Sequence, residues 1–155
     1  MDTVFWTYLP LWRPKNLSHQ QILAALRQAA NEWNSCMDGL VRFKEGSGEL
    51  QIHIGLDQKI DKKLHPNRIA ECRTFSKPRR WEIGFDSREK WNVGGWRKAL
   101  GTGNDLRSSA LHEFGHVLAL PHSDNAEFIM FPEYNEKIKL NERERKFYRD
   151  FFINS

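Results

Sequence analysis

His112-Glu113-Phe114-Gly115-His116-Val117-Leu118-Ala119-Leu120-Pro121-His122-Ser123 is the stretch on which the reading of this chain turns. Asn104 or Asp105 can cap a helix that runs through it to about Leu118. Pro121 cannot continue that helix, because proline lacks the amide hydrogen and clashes with the preceding turn. On a helix, residues four apart share a face, so the imidazoles of His112 and His116 point the same way. Two neutral imidazoles at that spacing can each give a nitrogen to one Zn²⁺ at roughly 2.0–2.1 Å. Glu113 is displaced around the helix from both and sits beside the metal without ligating it, where its carboxylate can take a proton from an attacking water. Six residues after His116, beyond the helix end, His122 can turn back to supply a third nitrogen. Three histidines leave a fourth position open, the pattern of a catalytic zinc and not of a closed structural one. The plainer alternative for the two helical histidines alone is a pair of incidental surface or core side chains.

The same run resembles the metzincin motif H-E-x-x-H-x-x-G-x-x-H, which is continued downstream by a methionine turn. Ile129-Met130-Phe131-Pro132-Glu133-Tyr134 matches that turn. Among metzincins the chain most resembles the matrixins, the matrix-metalloproteinase group, in Ser123 after the third histidine and in Met130, Pro132 and Tyr134 at the turn. Phe5-Trp6-Thr7-Tyr8, Leu50-Gln51-Ile52-His53-Ile54 and Phe85-Asp86-x-x-Glu89-x-Trp91 resemble matrixin segments more weakly. The resemblance implies a single α+β catalytic domain over residues 1–155, with a twisted mixed sheet, an active-site helix and a C-terminal helix. It implies a zinc endopeptidase with one catalytic Zn²⁺ on His112, His116 and His122, and with Glu113 as general base. Met130 would form a hydrophobic floor beneath the metal, and Pro132 to Tyr134 the outer wall of the S1′ pocket. A peptide or protein substrate would lie extended along an edge strand, for which residues 81–86 are the expectation. The short segment between Met130 and the last helix would hold the S1′ loop tight.

The chain departs from the family at several points. Ala119 stands where the motif has glycine, and alanine in a left-handed conformation costs roughly 1 kcal/mol. Residues 57–80 are basic and nearly free of carboxylates, and Gly84 stands where a ligand of the family's structural zinc would be, so no structural zinc is expected. Asp86 and Glu89 match calcium-binding positions of the family, but two carboxylates make a weak Ca²⁺ site, and a salt bridge to a nearby Arg or Lys serves as well. Neither a signal peptide nor a pro-segment with a cysteine switch is legible ahead of the domain, and the compartment stays open; only the family resemblance points to secretion.

Local patterns supply the rest of the frame. Residues 4–9 read as an opening strand. Ser18 with Gln21 forms a capping-box pattern ahead of an amphipathic helix over 19–35. Leu40, Val41 and Phe43 begin a strand, Leu50 to Leu56 alternate as the best strand pattern in the chain, and 68–75 and 81–86 read as two more. Loops are expected around Gly94-Gly95 and Gly101-Thr102-Gly103. Residues 123–140 show no period, and Asn141 caps a last helix over 142–152. The 155 residues carry a net charge of +4, which reads as an ordinary basic surface or as attraction to acidic polymers. No nucleic-acid signature accompanies it, no run is apolar enough to span a membrane, and a monomer is expected. Cys36 and Cys72 can form one bridge in an oxidising compartment or remain two buried thiols. Two other functions fit less of the chain: a retired protease fold that holds zinc and binds a partner without turnover, and a basic surface-binding domain with incidental histidines.

Overall fold

The computed structural model describes residues 2–55, 60–94 and 103–155. Strand β1 (Asp2–Tyr8) leads through a Pro-containing loop to helix α1 (His19–Met37), followed by β2 (Val41–Glu45), β3 (Leu50–Gly55), β4 (Ala70–Ser76) and β5 (Arg79–Asp86). Two short strands, β6 (Trp91–Asn92) and β7 (Asn104–Asp105), precede helix α2 (Leu106–Val117), and helix α3 (Glu142–Asn154) closes the chain. The expected α+β architecture is present, within a residue or two at most ends. The glycine loops expected at 94–95 and 101–103 fall largely outside the described residues.

The five longer strands form one mixed sheet in the order β2-β1-β3-β5-β4. β1, β2, β3 and β5 are parallel, and β4 pairs antiparallel with β5 from Ala70 opposite Phe85 to Ser76 opposite Arg79. This corrects the expectation that residues 81–86 are the edge. They are β5, bonded to β3 on one side and β4 on the other, and the edge is β4. The two sequences differ accordingly. β5 reads Trp81-Glu82-Ile83-Gly84-Phe85-Asp86 and is buried over most of its length, as an inner parallel strand is. β4 reads Ala70-Glu71-Cys72-Arg73-Thr74-Phe75-Ser76 and is half-exposed, as an edge strand is.

Helices α1 and α2 pack against this sheet and each other. Ser18 and Gln21 make both bonds of the capping box, and α1 buries Ile22, Leu26, Ala29, Ala30 and Trp33 against the core. The indole N–H of Trp33 donates to the Leu111 carbonyl at 2.7 Å. Phe114 meets Trp6 and Phe43 edge-to-face, at 6.0 and 4.9 Å between ring centroids. With Leu106, Ala110 and Leu111 it gives α2 a fully buried stripe, so the opposite side of the helix is held toward the cleft. Cys36 and Cys72 are both free thiols, and Cys36 is buried under α3 with its Sγ near the Arg145 carbonyl. Asp86 is completely buried, and its carboxylate receives Arg88 Nε at 2.8 Å and Nη2 at 2.6 Å. Glu89 pairs with Lys62 at 2.7 Å. Both carboxylates are thus engaged by cations, the salt-bridge alternative raised for this pair.

Candidate functional site

A cleft of about 670 Å³ runs between α2 on its floor, β4 and the loop before it on one wall, and residues 132–135 on the other. Asp105, not Asn104, is the N-cap of α2. Its backbone N–H donates to the hydroxyl of Tyr134, which ties the far wall to the start of the helix. Pro132 and Tyr134 line that wall.

On the floor the three histidines converge. His116 Nε2 lies 3.2 Å from Nε2 of both His112 and His122. His112 Nδ1 is 2.7 Å from the Ile129 carbonyl and His116 Nδ1 is 3.0 Å from that of Leu120. A carbonyl can only accept, so both rings carry their proton on Nδ1, and both Nε2 atoms present lone pairs. Two lone pairs facing each other at this distance cannot form a hydrogen bond; they repel unless a cation lies among them. Nitrogens held at 2.0–2.1 Å around a tetrahedral ion stand about 3.4 Å apart, close to the spacing here. Burial holds His112 well below the ordinary imidazole value, at about 4, and lowers His116 and His122 as well, helped by their neighbours' charge. All three are therefore neutral at pH 7, the form a metal requires. The donor set fits a single zinc ion with one open position.

Helix α2 ends so as to make this possible. The Ala119 N–H donates to the His116 carbonyl and the Leu120 N–H to the Gly115 carbonyl, the paired bonds of a Schellman ending. Ala119 sits at φ 61°, in the left-handed region where the motif has glycine. This sharp reversal brings the Leu120 carbonyl onto His116 and lets Pro121 carry His122 back over the helix.

Glu113 lies beside the triad and is 6% exposed. Its Oε2 is buried with no hydrogen-bond partner among the described residues. Burial, reinforced by the Glu71 carboxylate and opposed by Arg68, pushes its pKa up to about 8. Met130 is fully buried and packs against Gly115. A Cβ on Gly115 would run into Met130 Sδ and stand 3.0 Å from Trp33 Cζ2, so only glycine admits the methionine turn this close.

Several supports of the site were not singled out from sequence. Glu144 of α3 is completely buried, accepts the Ile129 N–H at 2.8 Å, and pairs with Lys137. Tyr148 Oη receives the Met130 N–H at 3.2 Å. α3 thereby clamps the peptide whose carbonyl orients His112. The Asn141-to-Glu144 spacing was a legible capping box, and both its bonds form, but nothing local shows that the same carboxylate reaches Ile129. Arg68 and the β4 residues Ala70, Glu71 and Cys72 also line the cleft. No helix among the described residues is long and apolar enough to cross a membrane.

Comparison with known proteins agrees with this geometry. A family model described as Matrixin matches residues 4–151. Stromelysin-3 of Xenopus laevis is 36% identical over 147 residues, covering 90% of this chain and 29% of that protein. Matrix metalloproteinase-19 of Homo sapiens is 30% identical over 142 residues (83% and 25%), and matrix metalloproteinase-20 of Homo sapiens 28% over 127 residues (79% and 25%). The chain spans about a quarter of the length of these curated relatives. Matched by the family model over all but its first three and last four residues, the chain belongs to the matrixin family.

Proposed function

We propose that the chain is a zinc-dependent endopeptidase in which His112, His116 and His122 hold the metal and Glu113 serves as general base. Membership of the matrixin family supports a function of zinc-metalloprotease type. The observation that carries the reading further is the meeting of three Nε2 atoms, that of His116 lying 3.2 Å from each of the other two, beside a buried carboxylate oxygen with no partner among the described residues. Zinc bound there would polarise a peptide carbonyl and make water acidic enough to lose a proton near neutral pH. Glu113 takes the proton of the attacking water and hands it to the departing amine nitrogen. The backbone carbonyls of Ile129 and Leu120 keep the His112 and His116 rings fixed throughout.

The substrate is a peptide or protein segment that adds to the open edge of β4 by main-chain hydrogen bonds. The side chain after the cut bond enters the space beneath Pro132 and Tyr134. The loop that shapes this space is short and anchored: Asn135 donates to the Phe128 carbonyl at 3.1 Å and the Leu140 N–H to Glu32 at 2.9 Å. That favours small and medium side chains at P1′. Met130 supports the floor through Gly115. Retention of Glu113 argues against a retired protease that binds without turnover.

The test is hydrolysis of a fluorogenic peptide library by the native protein and by Glu113→Ala, with zinc content measured in both. Cleavage by the native protein alone, with one zinc in each sample, is the expected result. Zinc in both and cleavage by neither would leave a binding module, and absence of zinc from both after metal is supplied would overturn the assignment.

A further inference from the structure

The net charge of the chain is not spread over its surface. Residues 60–80, which form the loop before β4, β4 itself and the start of β5, contain seven Lys and Arg against two Asp and Glu, a net of +5. The whole chain is +4, so everything else together is close to neutral and slightly acidic. This segment is the edge-strand wall of the cleft.

Most of its cations are already engaged. Lys62 pairs with Glu89 at 2.7 Å and Arg73 with Glu71. Arg79 and Arg80, at the hairpin end, lie over the rings of Trp81 and Phe75 at 4.8 and 4.2 Å. Arg68 differs. It stands two residues before β4, is exposed, and lines the same cleft as the histidines and Glu113. Its backbone is fixed, with its N–H on the His65 carbonyl and its own carbonyl receiving Lys62 Nζ. No carboxylate among the described residues pairs with its guanidinium. It is close enough to influence Glu113, His116 and His122 electrostatically. An exposed cation on an anchored backbone, with no carboxylate partner among the described residues and facing a peptide-binding cleft, is a recognition element for an anion.

We propose that this cleft selects acidic peptides, with Arg68 holding a Glu or Asp side chain of the substrate segment that lies against the start of β4. The proposal rests on β4 as the substrate-binding edge. Glu133, exposed on the opposite wall, gives the cleft a second polarity and confines the acidic preference to the β4 side. Glu71, the acidic residue of β4, pairs with Arg73, which offsets its charge in part. The remaining basic residues of the wall add a long-range attraction that steers acidic chains toward the cleft and weakens with salt.

The experiment uses fluorogenic peptides that carry Glu, Gln or Lys at one position at a time on either side of the cut bond, assayed with native protein, Arg68→Ala, Arg68→Glu and Lys146→Ala. Lys146 lies on the exposed face of α3, paired with Asp150, and serves as the charge-matched control. At one position or more, kcat/KM for Glu should exceed that for Gln by about fivefold at low salt, shrinking toward parity at 0.5 M NaCl. Arg68→Ala should bring the ratio within twofold of one, Arg68→Glu should favour Lys, and Lys146→Ala should leave the ratio unchanged. The same peptides, labelled, are also titrated by fluorescence polarisation. If the native protein cleaves nothing, the proteolytic reading fails while the Glu-over-Gln binding ratio still tests Arg68. Equal cleavage and binding of Glu and Gln peptides at every position would overturn the proposal. So would a loss of preference in Lys146→Ala as large as in Arg68→Ala.

Discussion

Ala119→Gly should stabilise this protein, although it removes a side-chain carbon and adds chain entropy. Ala119 sits at φ 61° in the ending of α2. An L-residue with a Cβ is disfavoured there by roughly 1–2 kcal/mol, because the carbon crowds the adjoining carbonyl oxygen. Glycine relieves this but raises the entropy of the unfolded chain, which offsets about 0.5–1 kcal/mol. Ala119 is exposed, so no buried contact is lost. The net expectation is a gain of about 0.5–1 kcal/mol, or roughly 1–4 °C in melting temperature for a domain of this size. Thermal unfolding followed by circular dichroism, with and without zinc, measures it. Ala119→Val, which puts a branched side chain in the same left-handed position, should shift the melt the other way by more. A glycine variant that melts at or below the native temperature would refute the reasoning, and would mean that the methyl group makes contacts outweighing its strain.

Two further predictions concern the floor of the cleft. Gly115→Ala forces a methyl group into Met130 and Trp33 and should cost about 1–3 kcal/mol by overpacking. In a double-mutant cycle the cost should shrink when Met130→Ala is also present; equal costs in both backgrounds would mean that Met130 is not the obstacle. In metal-free protein, the Glu113 pKa is raised to about 8 by burial, so the folded state favours the protonated form. Stability from this group is complete below the unfolded value near 4.5 and is lost as pH rises toward 8. Metal-free Glu113→Gln should therefore gain on the native protein by more than about 1 kcal/mol between pH 4.5 and 8 in urea unfolding. A difference that stays flat with pH would place the carboxylate in water.

The convergence of the three histidines was legible because it is local. Histidines four apart on a helix, a proline that stops it and a third histidine beyond are facts of spacing, and the structure brings His112, His116 and His122 together as that spacing requires. The capping residues Ser18 and Asn141 were legible for the same reason: each makes its bonds within one turn. The identity of the edge strand was not, because strand order is set by pairings between segments far apart in sequence. A signal was nonetheless present. The apolar density of Trp81 to Phe85 suits an inner strand, and the Arg and Thr of β4 an edge. The role of Glu144 was hidden similarly, since a capping carboxylate gives no sign that its second face reaches Ile129. Ala119 shows the converse case: the motif predicted a left-handed residue there, and the backbone adopts that conformation despite the side chain.

β4 has a second consequence. A strand edge that can take an extended peptide can equally take the β4 of another molecule, and unguarded sheet edges are where native proteins begin to aggregate. Here Arg73, Lys77, Arg79 and Arg80 crowd the strand and its hairpin. Two such edges approaching each other bring like charges together, while an acidic chain meets no such opposition. On the proposed reading the basic wall would serve as a gatekeeper: the charge that would draw a substrate in would also oppose pairing of the protein with itself.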